Sequence, residues 1–381
     1  MAIVADTYTY VVGVDTHAAT HHYAIVETRS GGQIAHGKFP THAAGLLRAV
    51  DWISRRTSVD DNPAVDQVLI SMEGTGSYGA QAAELLAARG YRVVDAPSPK
   101  RARGSGKNDH IDALVAARGA LPKDSERLAD RRAGHTRAAL QILLTARDSM
   151  RRDRTRSKNQ LTALLRTHNL DIDARKGINK VHISLIAGWR KRPTDTTLAR
   201  IARTEAHRLA TRIHTLDADL DSNEKAINAL VRELEPTLLD LPGLGPINAA
   251  IVLAVWSHPG RIHDEAGFAK IGGVCPLEIS SGNSKDHRLN RTGDRQLNSA
   301  LNSIANTRMR HDETTKAYVK KRKQQGQTKP RIRRCLKRYI ARQIFRHLNT
   351  TPLTRHRSVS TNGAAILRPL EPVDVLLRLG Q

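Results

Sequence analysis

Aromatic residues fill only 3% of the 381 positions, and cysteine occurs twice. With so few rings, base stacking on aromatic platforms cannot dominate any binding of nucleic acid. Cys275 and Cys335 are far apart and lie in no Cys-x-x-Cys pattern. They read as reduced thiols of a cytosolic protein, which excludes a disulfide framework and a zinc site. Long apolar runs and lipidation motifs are missing, so neither a membrane span nor an anchor is expected. The opening residues, Met1 to Thr7, lack the basic start and apolar core of a signal peptide. Acid is scarce too: 37 Asp and Glu stand against 61 Lys and Arg, a net charge of +24. Such an excess calls for a polyanion, and the phosphate backbone is the usual one.

The few acids are informative where they fall. Asp15 ends an apolar run from Tyr10 to Val14, and Glu73 ends another from Val68 to Met72. Asp109 and Asp112 are three apart at the start of a helical stretch from Ile111 to Ala117, so both face the same way. Four hard oxygen ligands converging from separate elements make a Mg²⁺ site able to act on phosphodiesters. The plainer alternative is that Asp109 caps the helix and Asp112 sits in its favourable first turn. His17, His21 and His22 read as loop or substrate-side residues, because Mg²⁺ prefers oxygen.

A chain of this length predicts two or three units. Strands are expected near 10–15, 22–28, 33–39, 67–72 and 91–95, with helices near 43–55 and 79–89 between them. The order β-β-β-α-β-α-β-α predicts a mixed α/β sheet that opens with a hairpin meander, the RNase H-like (RuvC-like) layout. From about 128 to 235 apolar residues recur at helical spacing in charged surroundings. This predicts a helical, coiled-coil middle that acts as an oligomerising spacer, the plainer alternative being a helical core within one chain. The remainder reads as a mostly helical C-terminal unit. The expected boundaries are about 8–122, 123–236 and 237–348, with a tail at 349–381.

Basic residues cluster in four places. Lys100, Arg101, Arg103 and Lys107 form a loop running into Asp109, a candidate phosphate clamp. Gly243 and Gly245, in Leu-Pro-Gly-Leu-Gly-Pro, resemble the turn of a helix-hairpin-helix, where backbone amides approach a phosphate. Ser280, Ser281 and Gly282 precede Lys285, Arg288, Arg291 and Arg295, which could set a hydroxyl among phosphate ligands. Finally, Lys316 to Arg346 contains no Asp or Glu. Its cations include Lys320, Lys321, Arg322, Arg331, Arg333, Arg334, Lys337 and Arg338, and a nucleic acid explains such a one-sided run better than solvent does.

Taken in order, Gly13-Val14-Asp15-Thr16-His17, Glu73-Gly74-Thr75-Gly76, Lys107-Asn108-Asp109-His110-Ile111-Asp112, Leu241-Pro242-Gly243-Leu244-Gly245 and Ser281-Gly282 with Arg288 to Leu297 form a connected pattern. It resembles the DEDD transposases of bacterial insertion sequences, the IS110 family of bridge-RNA-guided recombinases. The resemblance covers roughly residues 8–348. It implies that Asp15, Glu73, Asp109 and Asp112 hold Mg²⁺ and that Ser281 is the nucleophile, with Ser280 its neighbouring competitor. It also implies cleavage through a serine–DNA link, donor and target DNA, a structured guide (bridge) RNA and a homo-oligomer, dimer or tetramer. The setting implied is the bacterial cytoplasm, at the nucleoid. Two other functions share part of the pattern: a junction resolvase using water as nucleophile, and a non-enzymatic basic nucleic-acid-binding protein.

Overall fold

The computed structural model describes residues 2–59, 62–97, 109–168, 170–281, 284–288, 290 and 293–350. A short helix α1 (Val4–Thr7) precedes three strands, β1 (Tyr10–Thr16), β2 (Thr20–Glu27) and β3 (Gln33–Pro40). Helix α2 (Ala43–Thr57), the two-residue strands β4 (Ser58–Val59) and β5 (Asn62–Pro63), then β6 (Val68–Met72), α3 (Ala80–Ala88), β7 (Arg92–Asp95) and α4 (Asp109–Ala120) complete the first unit. The main sheet has the order β3-β2-β1-β6-β7. Strands β1 to β3 are antiparallel, whereas β6 and β7 run parallel to β1, as crossover helices require.

Burial explains this order. Strands β1 and β6 are central, and their apolar runs are buried on both faces. Strand β3 lies at the edge and alternates between half-buried and exposed positions. On one face Val12, Val14, Ile70 and Val93 pack under α2 and α3. On the other, Val11, Leu69 and Val94 meet α4, which offers a stripe of fully buried small residues, Ala113, Ala116, Ala117 and Ala120. The stripe lets α4 lie very close to the sheet. A Cβ on Gly13 would stand 1.9 Å from the Ala113 carbonyl oxygen, so only glycine fits beneath the helix.

The middle of the chain is a helical hairpin. Helix α5 (His135–Thr167) runs antiparallel to α7 (Thr197–Leu234), with α6 (Lys180–Ala187) between them in sequence. Its two ends are apolar and its centre is polar. Leu161, Leu165, Ile183, Ile186, Ala206 and Ile213 form a distal core. Arg154 pairs with Asp217, and Arg147 reaches Glu224 at 2.8 Å in the central stretch. The apolar stripes expected from periodicity therefore meet each other within one chain.

The proximal end of the hairpin joins the last unit. There α8 (Pro246–Trp256) is buried almost all round, among α9 (Glu265–Ile271), α10 (Arg295–His311), α11 (Glu313–Gln324) and α12 (Lys329–Thr350). Leu140 and Leu144 of α5 and Ile227 and Val231 of α7 share a core with Leu253, Phe268, Leu301, Ile304, Ile340 and Ile344. A small hairpin, β8 (Leu277–Ser281) and β9 (Ser284–Arg288), lies between α9 and α10. Among the described residues no helix is long and apolar enough to cross a membrane.

Candidate active site

Strands β1 and β6 are parallel neighbours with Val14 opposite Met72. The residues that follow, Asp15 and Glu73, therefore sit side by side at one rim of the sheet. Backbone bonds fix this rim: the Glu73 amide donates to the Val14 carbonyl at 3.0 Å, and the Thr16 hydroxyl donates to the Glu73 carbonyl at 3.1 Å. Alternation along a strand puts Val11, Gly13 and Asp15 on one face, and Leu69, Ser71 and Glu73 continue the same face. That is the face α4 covers, and the Ser71 hydroxyl donates to the Ala116 carbonyl at 2.8 Å. Helix α4 runs antiparallel to β1, so its first turn hangs over the rim. Asp112 precedes Ala113 directly and is half-buried there, with Asp109 opening the helix three residues earlier.

Asp15 is 6% exposed, and its Oδ2 lies 2.9 Å from the His17 Nε2. His21, opposite Thr16 on β2, is buried, and burial holds its imidazole below the ordinary value. The three histidines thus surround the Asp15 end of β1, with His17 in contact with the carboxylate. Among the described residues no group of three or more His, Cys, Asp or Glu is close enough to hold an ion. The Asp109 side chain lies outside that set. In type the carboxylates suit Mg²⁺, and they stand at one rim, presented by two strand ends and a helix.

Sequence reading missed a third strand-end acid. Asp95 ends β7, opposite Met72 on β6. Its parity is that of Val93, so it belongs to the face away from α4. It accepts a hydrogen bond from Thr75 and pairs with Arg261 of the loop after α8. The signal for Asp95 was available, since it closes an apolar run as Asp15 and Glu73 do. Nothing marks Arg261 in the sequence, because its partner is reached only through the fold. Beside it Arg137 is 7% exposed, with Nε and Nη1 unbonded. Burial, aided by Arg132 and Arg261, holds its pKa below the usual value.

Two family models match this chain: a DEDD-type IS110 transposase model over residues 12–170, and one described as "Transposase IS116/IS110/IS902 family" over residues 235–320. The chain belongs to this transposase family. Between them the matches contain the acidic rim, the Gly243 turn and the β8–β9 hairpin. A curated relative, "Putative transposase y4pF/y4sB" of Sinorhizobium fredii, is 27% identical over 263 residues. That stretch is 65% of this chain and 63% of the relative, so the match spans less than two thirds of the relative's length.

The family's other motif positions divide between framework and surface. Ser281 is the last residue of β8, in register with Ser284, and Ser280 pairs with Lys285. Arg288 ends β9, and the side chains of residues 278–288 lie outside the described residues, as do Arg291 and the candidate clamp Lys100, Arg101, Arg103 and Lys107. Gly293 is structural: at φ 102 it passes under α9, where a Cβ would stand 2.4 Å from the Ile271 carbonyl oxygen. Asp294 then caps α10, accepting from the Leu297 amide at 2.9 Å, and Arg295 opens that helix exposed. Gly243, at φ 80, packs on Ile304 of α10, while Gly245 precedes α8 with open space around it. Lys320, Lys321, Arg331 and Arg334 are exposed on α11 and α12, with Arg322, Arg333 and Arg338 half-buried. Lys337 differs from that expectation. Its amine is buried and donates to Asn298 at 2.9 Å, because its helix position faces α10.

Proposed function

We propose that this chain is the transposase of an insertion sequence, a recombinase that cleaves and exchanges DNA strands through a serine–DNA intermediate. The observation that carries the reading is the shared rim of Asp15 and Glu73, roofed by the first turn of α4 with Asp112. The strand order β3-β2-β1-β6-β7 with this rim supports an RNase H-like, RuvC-like domain over about 8–122. A helical spacer over about 123–236 and a transposase domain over about 237–348 would follow. The strongly basic balance supports DNA as substrate.

In this reading Asp15, Glu73, Asp109 and Asp112 would hold Mg²⁺, which would neutralise charge on a phosphodiester and favour ionisation of a nearby hydroxyl. Ser281 Oγ forms the new bond to phosphorus, and the bond to a deoxyribose oxygen breaks, releasing a sugar hydroxyl. Attack by a hydroxyl of the second DNA reverses the step and completes exchange. Consecutive strand positions belong to opposite faces, so Ser280 and Ser281 are not interchangeable. Choice of sequence is delegated to a bridge RNA, which leaves the protein to read backbone and shape. The acids and the serine would come from different protomers of a homo-oligomer. Val181 and Leu185 on α6, with Leu198 and Ile201 at the start of α7, support this, since they are exposed apolar residues at the hairpin tip.

The test is a suicide DNA substrate incubated with Mg²⁺ and the co-purifying RNA. The wild type should form a protein–DNA adduct, and Ser281→Ala should form none. An adduct that persists in Ser281→Ala would remove the serine assignment. Cleavage without an adduct in both proteins would favour a resolvase using water.

A further inference from the structure

The last unit contains a cavity of about 400 Å³ between the segment leading into β8 and helices α11 and α12. Small-molecule sites usually measure about 300–1,000 Å³, so this one has room for a single nucleotide. Part of its lining is apolar or weakly polar: Val274, Cys275 and Pro276 before β8, and Cys335 and Tyr339 on α12. Tyr339 is 54% exposed, an uncommon state for a ring in a chain so poor in aromatics. Tyr318 supports it edge-on, with ring centroids 6.1 Å apart.

Most of the remaining lining is cationic, including Arg322, Arg331, Arg334, Arg338 and Arg342, and no acid lines it among the described residues. Arg342 is engaged by Glu265 at 2.7 Å, and Arg338 donates to the Glu265 carbonyl at 3.4 Å. Arg334 makes no ion pair among the described residues. This charge repels metals and amines. An inorganic anion would use the arginines but not the apolar side or the ring. A nucleotide uses both, with phosphate on guanidinium and base on an aromatic face.

We infer that the cavity seats one unpaired nucleotide of a bound strand, its base against Tyr339 and its phosphate on Arg334 and Arg338. The inference rests on the nucleic-acid reading above and gives this unit a base-capturing role. Pulling a base from its stack costs energy that stacking on Tyr339 offsets. One captured nucleotide fixes the strand's register relative to β8, which carries Ser281, and so limits which phosphate the serine meets.

Cys275 and Cys335 are the only thiols of the chain, and both line the cavity. Their alkylation by N-ethylmaleimide in the full-length protein therefore reports its occupancy. An oligothymidylate of about ten nucleotides should slow alkylation about fivefold or more, and an abasic oligomer of equal length and charge should slow it less than about twofold. Protection should be lost in Tyr339→Ala and kept in Tyr339→Phe, with thermal melts confirming that both fold. An oligouridylate arm identifies whether ribose or deoxyribose strands are seated. Binding is followed in parallel by fluorescence anisotropy. If oligothymidylate binds yet both thiols react at the free rate, or the abasic oligomer protects equally, the inference is overturned and the nucleic-acid reading stands. If no oligonucleotide binds, both fall.

Discussion

Arg261, in the loop after α8, is bound to Asp95 at the end of β7, and this pair ties the last unit to the sheet rim that carries Asp15 and Glu73. The guanidinium is 3% exposed and also donates to the Asp130 carbonyl at 2.9 Å and the Val255 carbonyl at 2.8 Å. Asp95 in turn accepts from Thr75, two residues after Glu73. Replacing Arg261 removes a donor from two carbonyls and from the Asp95 carboxylate, which keeps its bond from Thr75. Arg261→Gln is expected to cost about 2–4 kcal/mol, the lower end reflecting partial hydration of Asp95. Asp95→Asn should cost less, because the amide still accepts from Arg261. Urea unfolding of both variants and of the double variant measures the coupling. A double-mutant coupling near zero would mean the pair is incidental.

Gly13 tests the roof of the site. A Cβ there meets backbone atoms of α4, 1.9 Å from the Ala113 oxygen and 2.5 Å from the Ala117 nitrogen, so no side-chain rotation can relieve it. Gly13→Ala should therefore push α4, with Asp112, off the rim. The expected cost is about 2–3 kcal/mol, with strand cleavage falling further than stability alone explains. Thermal melts and cleavage at a temperature where the variant stays folded separate the two effects.

Asp15→Asn keeps shape and the contact with His17 while removing the charge. The variant should unfold within about 0.5–1 kcal/mol of wild type yet lose cleavage by about 100-fold or more. Glu73→Gln should behave alike. If both variants retained wild-type strand transfer, the acids would be structural and the chain a nucleic-acid-binding protein.

Much of this site was legible in the sequence, for a physical reason. Central strands buried on both faces read as continuous apolar runs, so the residue ending each run is known to within one position. Pleat parity then assigns Asp15 and Glu73 to one face. The helical hairpin was legible only in part. The apolar stripes of α5 and α7 are visible, but a stripe looks the same whether its partner is in the same chain or another. Arg261 and Lys337 mark the limit. Arg261 lies 166 residues from Asp95 and belongs to no motif that would pair the two, and Lys337 sits in a basic run but faces inward. Composition gives a run its sign, and only packing decides which of its members meet solvent.

The same junction predicts a pH response. His258 follows Ser257, whose hydroxyl bonds both the amide of Ala133, at 3.0 Å, and its carbonyl. Burial, reinforced by Arg261, holds the His258 imidazole below its ordinary value near 6.5. The unfolded chain therefore binds this proton at a higher pH than the folded one. Its contribution to stability is full above about pH 6.5 and is lost as pH falls toward the folded value. His258→Gln cannot take the proton, so its urea midpoint should fall less between pH 7.5 and 5.5 than that of wild type. Some slope should remain, because His21 is shifted in the same direction. Equal slopes in the two proteins would show that His258 titrates alike folded and unfolded, and that protonation at this junction does not weaken it.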